Sequence, residues 1–388
     1  MRFLIPLLLI LLGLALALRL DFLVTIVWFL LAVYVLSRLW GRYAATHVRL
    51  ERRLVDHAFG GEDIPVDLRL SNAGRIPIPW ITVDESLPVE LREAPFGARA
   101  LSLPPRGERS FRYMLVTRQR GYYTLGPARL QVGDILGIQR YEMVVPQPAP
   151  FVVYPRVLPL ERLGLPTRSA LVALPDRTPL FEDPSRIMGV REYRPGDSPR
   201  RIHWGASARS SQLLVKQYQP SIARELLLCL DLFSNDYPFH QWFDAIEEAV
   251  VVASSLTSHS IVRDGLTAGL VTVAQDAVTG EVERMVVPPG RHLIPILEVL
   301  ARVKATTGDG FADLLREHGG RLRWGSTVVA VTGEISTEVA ETLLYLRRQG
   351  HAVAAIVVRP DLPEGTRSVA AYGVPVYQVW NDRDLAAL

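Results

Sequence analysis

Lysine and cysteine are almost missing from this chain. Among its 388 residues the lysines are Lys216 and Lys304, and the single cysteine is Cys229. One cysteine excludes a disulfide within the chain and favours a reducing compartment. Cys229 stands in an apolar run, so we interpret it as a core residue and not as a nucleophile. Because Arg supplies nearly all of the positive charge, a high Arg content by itself does not indicate nucleic-acid binding.

Several signatures of catalysis are missing as well. The sequence has no G-x-x-x-x-G-K-[S/T] run, and neither lysine lies in a glycine-rich turn, which excludes a P-loop nucleotide hydrolase. It has no G-x-S-x-G nucleophile elbow and no H-E-x-x-H zinc motif. A single cysteine also leaves no Cys/His spacing for a structural zinc. These absences favour a protein without enzymatic activity.

Charge is distributed unevenly along the chain, which is long enough for two or three domains. Residues 1–53 contain seven basic and two acidic groups, and residues 54–184 are balanced. Residues 185–216 again contain seven basic and two acidic groups, whereas residues 217–388 contain fourteen basic and twenty-one acidic groups. A basic segment therefore directly precedes an acidic domain, and we expect the two to pair within the chain.

Two apolar runs begin the chain, at residues 3–18 and 22–36. As helices they would each be about 24 Å long, and snorkelling of flanking Arg side chains would extend them towards the ~30 Å hydrocarbon core. Trp40 and Tyr43 would then lie at the membrane interface. The pattern predicts a transmembrane helical hairpin over residues 1–40.

Basic residues set the expected orientation of this hairpin. Arg2 precedes the first run, five Arg residues follow the second, and the turn between the runs holds Arg19 beside Asp21. The positive-inside rule then gives two spans in the inner (cytoplasmic) membrane of a bacterium, with the bulk of the chain in the cytoplasm. The alternative is a signal peptide cleaved near residues 15–17, which would release a periplasmic protein.

Residues 41–155 change to short alternating segments broken by Gly and Pro. The alternating segments are residues 64–70, 81–83, 111–117, 122–125 and 128–132. Short strands at this spacing, without a helical stretch, predict an immunoglobulin-like β-sandwich domain. Residues 156–222 are expected to form a linker and a basic signature segment, and the Pro-rich stretch 146–184 is expected to be irregular.

Residues 223–388 alternate between strand and helix patterns. Strands are predicted at residues 225–232, 266–274, 281–287, 327–332, 352–358 and 376–380, with the second and third as a hairpin and the last at an edge. Helices are predicted at residues 242–256, 293–303 and 337–348, and the apolar face of the first includes Trp242 and Phe243. Together, these strands and helices predict a Rossmann-like, doubly wound α/β domain.

Polar side chains follow two of the predicted buried strands. Asp231 and Ser234 come after the first strand, and Thr332 and Glu334 come at the end of another. Ligands of such sheets bind beyond the carboxyl ends of the strands, and hard cations prefer carboxylate and hydroxyl oxygens. Asp231 and Ser234 are therefore candidate Mg²⁺ ligands. The alternative is that they cap the following helix.

The basic segment combines Arg, aromatic and turn residues. Pro195 and Gly196 predict a tight turn, because Pro presets φ and Gly accepts a positive φ. Residues 190–193 and 213–218 have the composition of strands, and residues 202–208 fit one short helical turn. A hairpin with a helical connection is the expected structure.

Asp197 is expected to pair with neighbouring Arg groups and hold this turn, and Trp204 and Tyr193 are expected to pack on the α/β sheet. An enzymatic alternative uses Asp197, His203 and Asp231 in a hydrolase or ligand-binding site. Nucleic-acid binding would use Tyr193 and Trp204 as stacking platforms. The acidic domain beside them argues against it, so no nucleic-acid partner is expected.

The basic segment resembles the signature of a family known as domain of unknown function 58 (DUF58). The signature or interaction residues that carry the resemblance are Arg191, Tyr193, Pro195, Gly196, Asp197, Arg200, Trp204, Ser207, Arg209 and Lys216. Upstream, residues 120–127 and 134–137 resemble a second motif of that family. With the paired apolar runs and the β-rich segment, the resemblance covers nearly the whole chain.

The resemblance implies that residues 223–388 are similar to a von Willebrand factor type A domain. Such domains bind proteins through a metal held by an Asp-x-Ser-x-Ser motif; here Asp231 matches, but Phe233 and Asn235 occupy the two Ser positions. The resemblance also implies a MoxR-type AAA+ ATPase as partner, acting in the assembly or activation of a client protein. The expected function is a non-enzymatic adaptor that is anchored in the lipid bilayer and presents a protein-binding domain.

Overall fold

The computed structural model describes residues 21–92, 99–133, 140–160, 182–361 and 364–387, apart from residues 147, 195, 196, 211, 221–224 and 324, together with six of the first twenty residues. The chain divides into two compact units, Met1–Tyr154 and Pro155–Leu388. The first contains an apolar helix and a β domain, and the second contains a two-stranded hairpin and an α/β domain.

Helix α1 spans Asp21–His47 and is long and apolar enough to cross a membrane. At 1.5 Å per residue its 27 residues measure about 40 Å, so it extends well beyond the apolar run at 22–36. Most of its apolar stretch is exposed, as expected of a surface that faces lipid. Most of the first predicted span, residues 3–18, lies outside the described residues.

The last turns of α1 pack on the β domain of the same unit. The Trp40 indole nitrogen donates to the Pro77 carbonyl (3.1 Å), and the Tyr43 hydroxyl accepts from the Arg75 amide (3.0 Å). Both aromatic side chains therefore contact the β domain, and their expected position at a membrane interface stays a prediction.

Ten strands form the β domain within the described part of the first unit. They are β1 Val48–Arg53, β2 His57–Phe59, β3 Asp63–Asn72, β4 Ile78–Glu85, β5 Arg99–Leu103, β6 Glu108–Val116, β7 Gly121–Leu125, β8 Ala128–Gly133, β9 Arg140–Val145 and β10 Ala149–Tyr154. They make small sheets with the orders β1-β3-β6, β5-β4-β8-β9 and β2-β10-β7. Inward side chains from the three sheets, among them Leu68, Ile81 and Phe151, share one apolar core.

The alternating segments of this region all form strands, although several strands are longer than the pattern that predicts them. Strand β4, for example, covers Ile78–Glu85, whereas the alternation predicts only residues 81–83. The Pro-rich stretch 146–184 is not irregular throughout, which corrects the prediction. Its residues Ala149–Tyr154 form β10, because Phe151 and Val153 reach the core.

The basic segment lies in the second unit and folds as a hairpin. Strand β11 (Glu182–Glu192) pairs antiparallel with strand β12 (Leu214–Pro220), and helix α2 (Trp204–Ser210) lies in the connection between them. The two strands and the helical turn that the sequence predicts are confirmed. Residues 182–220 are called the signature hairpin below.

The rest of this unit is an α/β domain built on one sheet. Its strands are β13 Glu225–Leu230, β14 Thr267–Asp276, β15 Val282–Gly290, β16 Val303–Lys304, β17 Thr327–Thr332, β18 Ala352–Val358 and β19 Val376–Val379. Its helices are α3 Trp242–Ser258, α4 Ile294–Arg302, α5 Phe311–Gly319, α6 Thr337–Arg348, α7 Glu364–Ala371 and α8 Asp382–Ala386. The main order is β15-β14-β13-β17-β18-β19, and the pairing is parallel except between β15 and β14.

Both faces of this sheet are covered by helices. Along β13, Leu226, Leu228 and Leu230 belong to one apolar cluster with α3 and α4, whereas Leu227 and Cys229 belong to another with α5 and α6. A strand buried on both faces is apolar at every position, which is why β13 reads as a continuous run. Burial raises the pKa of the Cys229 thiol to about 12, in keeping with a core residue.

The strand and helix alternation predicted for this region is confirmed, with one correction on helix α3. Trp242 and Phe243 were assigned to its apolar face, but both are exposed. The buried positions of α3 begin only at Ala245, so its first turn contributes nothing to the core.

Candidate functional site

The parallel strands β13 and β17 are neighbours, and their carboxyl ends lie side by side at one end of the α/β sheet. This end, where the strands finish, is called the carboxyl edge below. Asp231 directly follows β13 and is 1% exposed. Its Oδ1 accepts from the Phe233 amide (2.9 Å), and its Oδ2 accepts from the Thr332 hydroxyl (2.6 Å). Its backbone carbonyl accepts from the Tyr237 hydroxyl (2.7 Å). Asp231 thus ties its own loop to the end of the neighbouring strand.

The pKa of Asp231 is raised well above its ordinary value. Burial is the main cause and the charge of Asp236 adds to it, while the hydrogen bonds that Asp231 accepts act in the opposite direction. The pKa of Asp236 is also raised, first by burial and then by the charges of Glu334 and Asp309, against a hydrogen bond with Asp231 that lowers it. Asp231 therefore holds a proton more tightly than an exposed carboxyl group does.

The two candidate Mg²⁺ ligands are engaged within the protein. Each carboxylate oxygen of Asp231 already accepts a hydrogen bond from protein, and position 233 carries a phenyl ring. Ser234 lies in the short turn Ser234–Asp236, where its amide donates to the Thr306 carbonyl (2.8 Å). Within the described ranges no group of three or more His, Cys, Asp or Glu side chains could hold a metal. The geometry gives no support to a Mg²⁺ site at Asp231 and Ser234.

Neither Asp231 nor Ser234 caps the following helix, so the capping alternative is wrong. The next α-helix, α3, begins at Trp242, and its N-cap residue Gln241 makes no side-chain cap bond. The Asp231 carboxylate instead accepts from the amide two residues further on, which is the pattern of an Asx turn. Its role is to shape the loop after β13.

Aromatic side chains are exposed in the segment that leaves this edge. Phe239 is 84% exposed, and the rings of Trp242 and Phe243, which meet edge to face with centroids 5.9 Å apart, are both exposed. These three residues are called the aromatic patch below. Single exposed apolar residues are ordinary, but several together beside polar groups are typical of a protein-binding site.

The exposed charge of the carboxyl edge is mostly negative. Asp309 and Glu334 are exposed, and Asp236 is partly exposed. Arg359 lies 3.9 Å from the Glu334 carboxylate and 3.3 Å from that of Asp361, so it offsets part of the negative charge. The edge and the aromatic patch together favour a partner with cationic and apolar side chains.

The signature hairpin contains the second group of candidate residues. The Arg191 guanidinium donates to both oxygens of Asp197 (2.6 and 2.7 Å), and the Arg194 amide donates to one of them (2.8 Å). These hydrogen bonds, that of Arg191 above all, lower the pKa of Asp197 to about 2. The expected pairing of Asp197 with neighbouring Arg groups is present. Pro195 and Gly196 lie outside the described residues.

Replacing Asp197 by alanine is expected to lower the melting temperature by a few degrees near pH 7, because Arg191 and the turn both lose their acceptor. A folded-state pKa below the ordinary value means that this contribution is present above about pH 4 and is lost as the pH falls towards about 2. Thermal melts of both proteins across this range, followed by circular dichroism, should therefore converge at the acid end. Glu192→Ala, at the exposed acid next to Arg191 in β11, is the control and should melt like the unmodified chain. Equal melting of the Asp197 variant near pH 7 would contradict the role.

His203 and Ser207 support the junction between α2 and β12. The Ser207 hydroxyl accepts from the Leu214 amide (2.9 Å) and donates to the His203 carbonyl (3.0 Å), and His203 Nδ1 accepts from an amide of α2 (3.1 Å). Asp197 and Asp231 are each engaged elsewhere. The three groups of the enzymatic alternative thus belong to separate hydrogen-bond networks.

Trp204 does not pack on the α/β sheet, which corrects the prediction. Its side chain is 67% exposed at the start of α2, while Ile202 and Val215 of the hairpin are buried and form a β-bridge with each other. Tyr193 is partly buried, and its amide donates to the Leu213 carbonyl (2.8 Å).

The other signature residues lie in three parts of the hairpin. Arg200 is in the short turn Pro199–Arg201, and Arg209 is exposed near the end of α2. Lys216 is partly buried in β12.

Sequence reasoning does not identify the aromatic patch. Trp242 and Phe243 fit the helical period of α3, and Phe239 stands in a loop with no pattern around it. The available signal is the density of aromatic residues immediately after a buried strand that ends in Asp231. Only their exposure distinguishes them from core residues.

Comparisons with known proteins agree with the signature of the hairpin. The family model described as protein of unknown function DUF58 matches residues 189–364. The chain is also 25% identical over 310 residues to the uncharacterized protein YeaD of Bacillus subtilis (strain 168), which covers 78% of this chain and 73% of that protein. Together these similarities support the DUF58 family.

Two solved structures that are similar to this chain each cover less than a third of it. The NMR structure of the CARDB domain of PF1109 from Pyrococcus furiosus is 16% identical, with a TM-score of 0.21, and covers 28% of this chain and 94% of that one. The crystal structure of the same domain in complex with di-metal ions is 17% identical, with a TM-score of 0.20, and covers 27% of this chain and 86% of that one. At these TM-scores neither carries an argument about fold or function.

Proposed function

We propose, on the premise that this chain is a DUF58 protein, that it is a membrane-anchored, non-enzymatic adaptor whose α/β domain binds another protein. The observation that carries the proposal is the aromatic patch, Phe239, Trp242 and Phe243, exposed beside a carboxyl edge that is mostly negative. The buried, hydrogen-bonded Asp231 at the centre of that edge stabilises a loop and is not placed to react with a substrate. An exposed apolar and acidic surface, in which the buried Asp231 is not available for a reaction, is suited to binding another protein.

The α/β domain is similar in its strand order to a von Willebrand factor type A domain. Support comes from the order β15-β14-β13-β17-β18-β19 with β15 as the antiparallel edge strand. In this chain the recognition surface would work without the usual metal, through apolar and carboxylate groups. The β domain, an immunoglobulin-like sandwich in this proposal, comes between the anchor and the α/β domain in the order of the chain.

The anchor consists of α1 and a preceding span within residues 3–18, which form a hairpin in the inner membrane. The exposed apolar stretch of α1 and the Arg residues on the outer flanks of the two runs support this arrangement. The β and α/β domains then lie in the cytoplasm.

A reporter fused to the C-terminus tests the orientation. We expect a fused green fluorescent protein to be fluorescent and a fused alkaline phosphatase to be inactive, because the phosphatase needs the oxidising periplasm for its disulfides. The same two reporters fused after residue 20 should give the opposite result. An active phosphatase at the C-terminus would contradict the cytoplasmic placement and support a cleaved signal peptide.

The expected partner is a MoxR-type AAA+ ATPase, with which the adaptor assembles or activates a client protein. Affinity purification of the full chain from crosslinked native membranes should recover such an ATPase, identified by mass spectrometry. Replacing Phe239 and Phe243 by serine should reduce its recovery at least tenfold, because exposed aromatic anchors carry much of the energy of an interface.

Tyr372→Ser is the matched control for this experiment. Tyr372 is also an exposed aromatic residue of the α/β domain (66%), but it precedes β19 at the opposite edge of the sheet. Its replacement should leave recovery unchanged. Repeated recovery of no AAA+ ATPase by the unmodified chain, or equal recovery by all variants, would count against the proposal.

A further inference from the structure

The signature hairpin exposes basic and apolar side chains together. Between positions 189 and 216 it has six basic and two acidic residues, and one of the acids, Asp197, is already paired with Arg191. Arg194 and Arg209 are exposed, as are the side chains of Trp204 and Leu213. Trp and Arg are the residues most enriched among the energetic centres of protein interfaces.

The hairpin maintains its fold from within. The Tyr193 amide donates to the Leu213 carbonyl (2.8 Å), and the His203 amide donates to the Leu214 carbonyl (2.8 Å). Val215, the second residue of β12, is buried. The exposed Trp204 ring is therefore not needed to hold the hairpin together, which leaves it available for a contact.

The carboxyl edge and the aromatic patch are complementary to this surface. The edge has exposed Asp309 and Glu334 beside a partly exposed Asp236, and the patch adds the rings of Phe239 and Phe243. A guanidinium placed here would face carboxylates and aromatic rings at once, which are its two preferred partners.

The two surfaces do not cover each other within one chain. Trp204 is 67% exposed and Phe239 is 84% exposed in the same structure. If the hairpin lay on the carboxyl edge of its own chain, both rings would lose most of this exposure. A contact between these surfaces therefore has to come from a second copy.

We propose that the signature hairpin of one copy docks, through Trp204 and Arg209, on the carboxyl edge and aromatic patch of a second copy. Both surfaces belong to the same unit of the chain. In a dimer with a twofold axis, the hairpin of each copy would therefore contact the carboxyl edge of the other. Burial of aromatic rings supplies affinity, and the opposite charges supply orientation and a faster encounter. This inference goes beyond the adaptor function, since it concerns contacts between copies of the chain. It uses the same aromatic patch as the proposed function, so a second copy and another protein would bind this surface in turn and not together.

Cysteine crosslinking of the full chain in detergent tests the contact. The native Cys229 does not interfere, because it is fully buried. One protein carries Ala208→Cys, at an exposed position of α2, and a second protein with a larger affinity tag carries His240→Cys, at an exposed position beside Phe239. Mixed and treated with a short bismaleimide, they should give a product with the summed mass of the two chains.

Two further variants make the result specific. Tyr372→Cys in place of His240→Cys should give at most a tenth of the product, because Tyr372 lies at the opposite edge of the sheet. Adding Trp204→Ser or Arg209→Glu to the Ala208→Cys protein should also reduce the product about tenfold. Both changes are at exposed positions, and unchanged thermal melts will show that the variants are folded.

The proposal is overturned if the mixed product is absent, or if Tyr372→Cys gives as much of it as His240→Cys. It is also overturned if a chain with both Ala208→Cys and His240→Cys crosslinks only within itself. Failure here is distinguishable from failure of the adaptor function, because recovery of an AAA+ ATPase by the unmodified chain is a separate measurement that does not depend on the crosslink between copies.

Discussion

Replacing Arg52 by methionine is expected to lower the free energy of unfolding by about 3–5 kcal/mol, which is the usual cost of leaving a buried charge without its partner. Arg52 forms an ion pair with Glu85 inside the β domain. The Glu85 side chain is 0% exposed and that of Arg52 only 6% exposed, so water cannot replace the lost partner.

The pH dependence of this loss has a definite sign. Burial raises the pKa of Glu85 even with Arg52 present, and Arg52 acts against it. Without Arg52 the pKa rises further, so the folded variant keeps a proton that the unfolded chain releases. The stability of the variant therefore falls as the pH rises above the ordinary pKa of a Glu side chain. The deficit should be larger at pH 8 than at pH 5.

Urea unfolding of the full chain in detergent measures this effect. Arg53→Met is the matched control, because Arg53 is the next residue of β1 but is exposed. It should change stability by less than about 0.5 kcal/mol. The double change Arg52→Met with Glu85→Met removes both charges and should recover most of the loss. A loss below about 1 kcal/mol for Arg52→Met alone would contradict this account of the pair.

The second large effect is expected at Asp231. Asp231→Ala should lower the free energy of unfolding by about 2–4 kcal/mol, because the buried donors of Phe233 and Thr332 lose their acceptor. Asp231→Asn should change stability little. The amide oxygen still accepts from the Phe233 amide, and the Thr332 hydroxyl can turn to donate to the Glu334 carbonyl, 2.9 Å away.

The contrast between these two variants separates a structural role from a metal-binding role. If Asp231 held Mg²⁺, Asp231→Asn would remove a heat of Mg²⁺ binding that titration calorimetry detects in the unmodified chain. We expect no such heat in either protein. Because the pKa of Asp231 is raised, the unmodified chain should lose stability relative to Asp231→Asn as the pH rises. A strong Mg²⁺ heat abolished by Asp231→Asn would contradict the structural role.

The sequence predicts the structural elements that depend on residues close together in the chain. Helix α6 (Thr337–Arg348) and strand β18 (Ala352–Val358) begin and end where the apolar period predicts, because each is either amphipathic or buried on both faces. The Asp197 turn was also accessible, since its Arg partner Arg191 is only six positions away. Residues close in sequence meet whatever the rest of the chain does.

Contacts between distant parts of the chain were decided by the tertiary structure. Asp231 has the sequence context of a metal ligand, yet its partner Thr332, 101 residues further on, makes it a structural residue. Trp204 and Trp242 are predicted to pack inward, yet both are exposed, because other side chains fill the core of the α/β domain. The sequence by itself determined the order of domains, the apolar helix and the alternation of the α/β domain. Which polar groups are buried together and which aromatic rings remain on the surface depends on how the elements pack, and no local pattern contains that information.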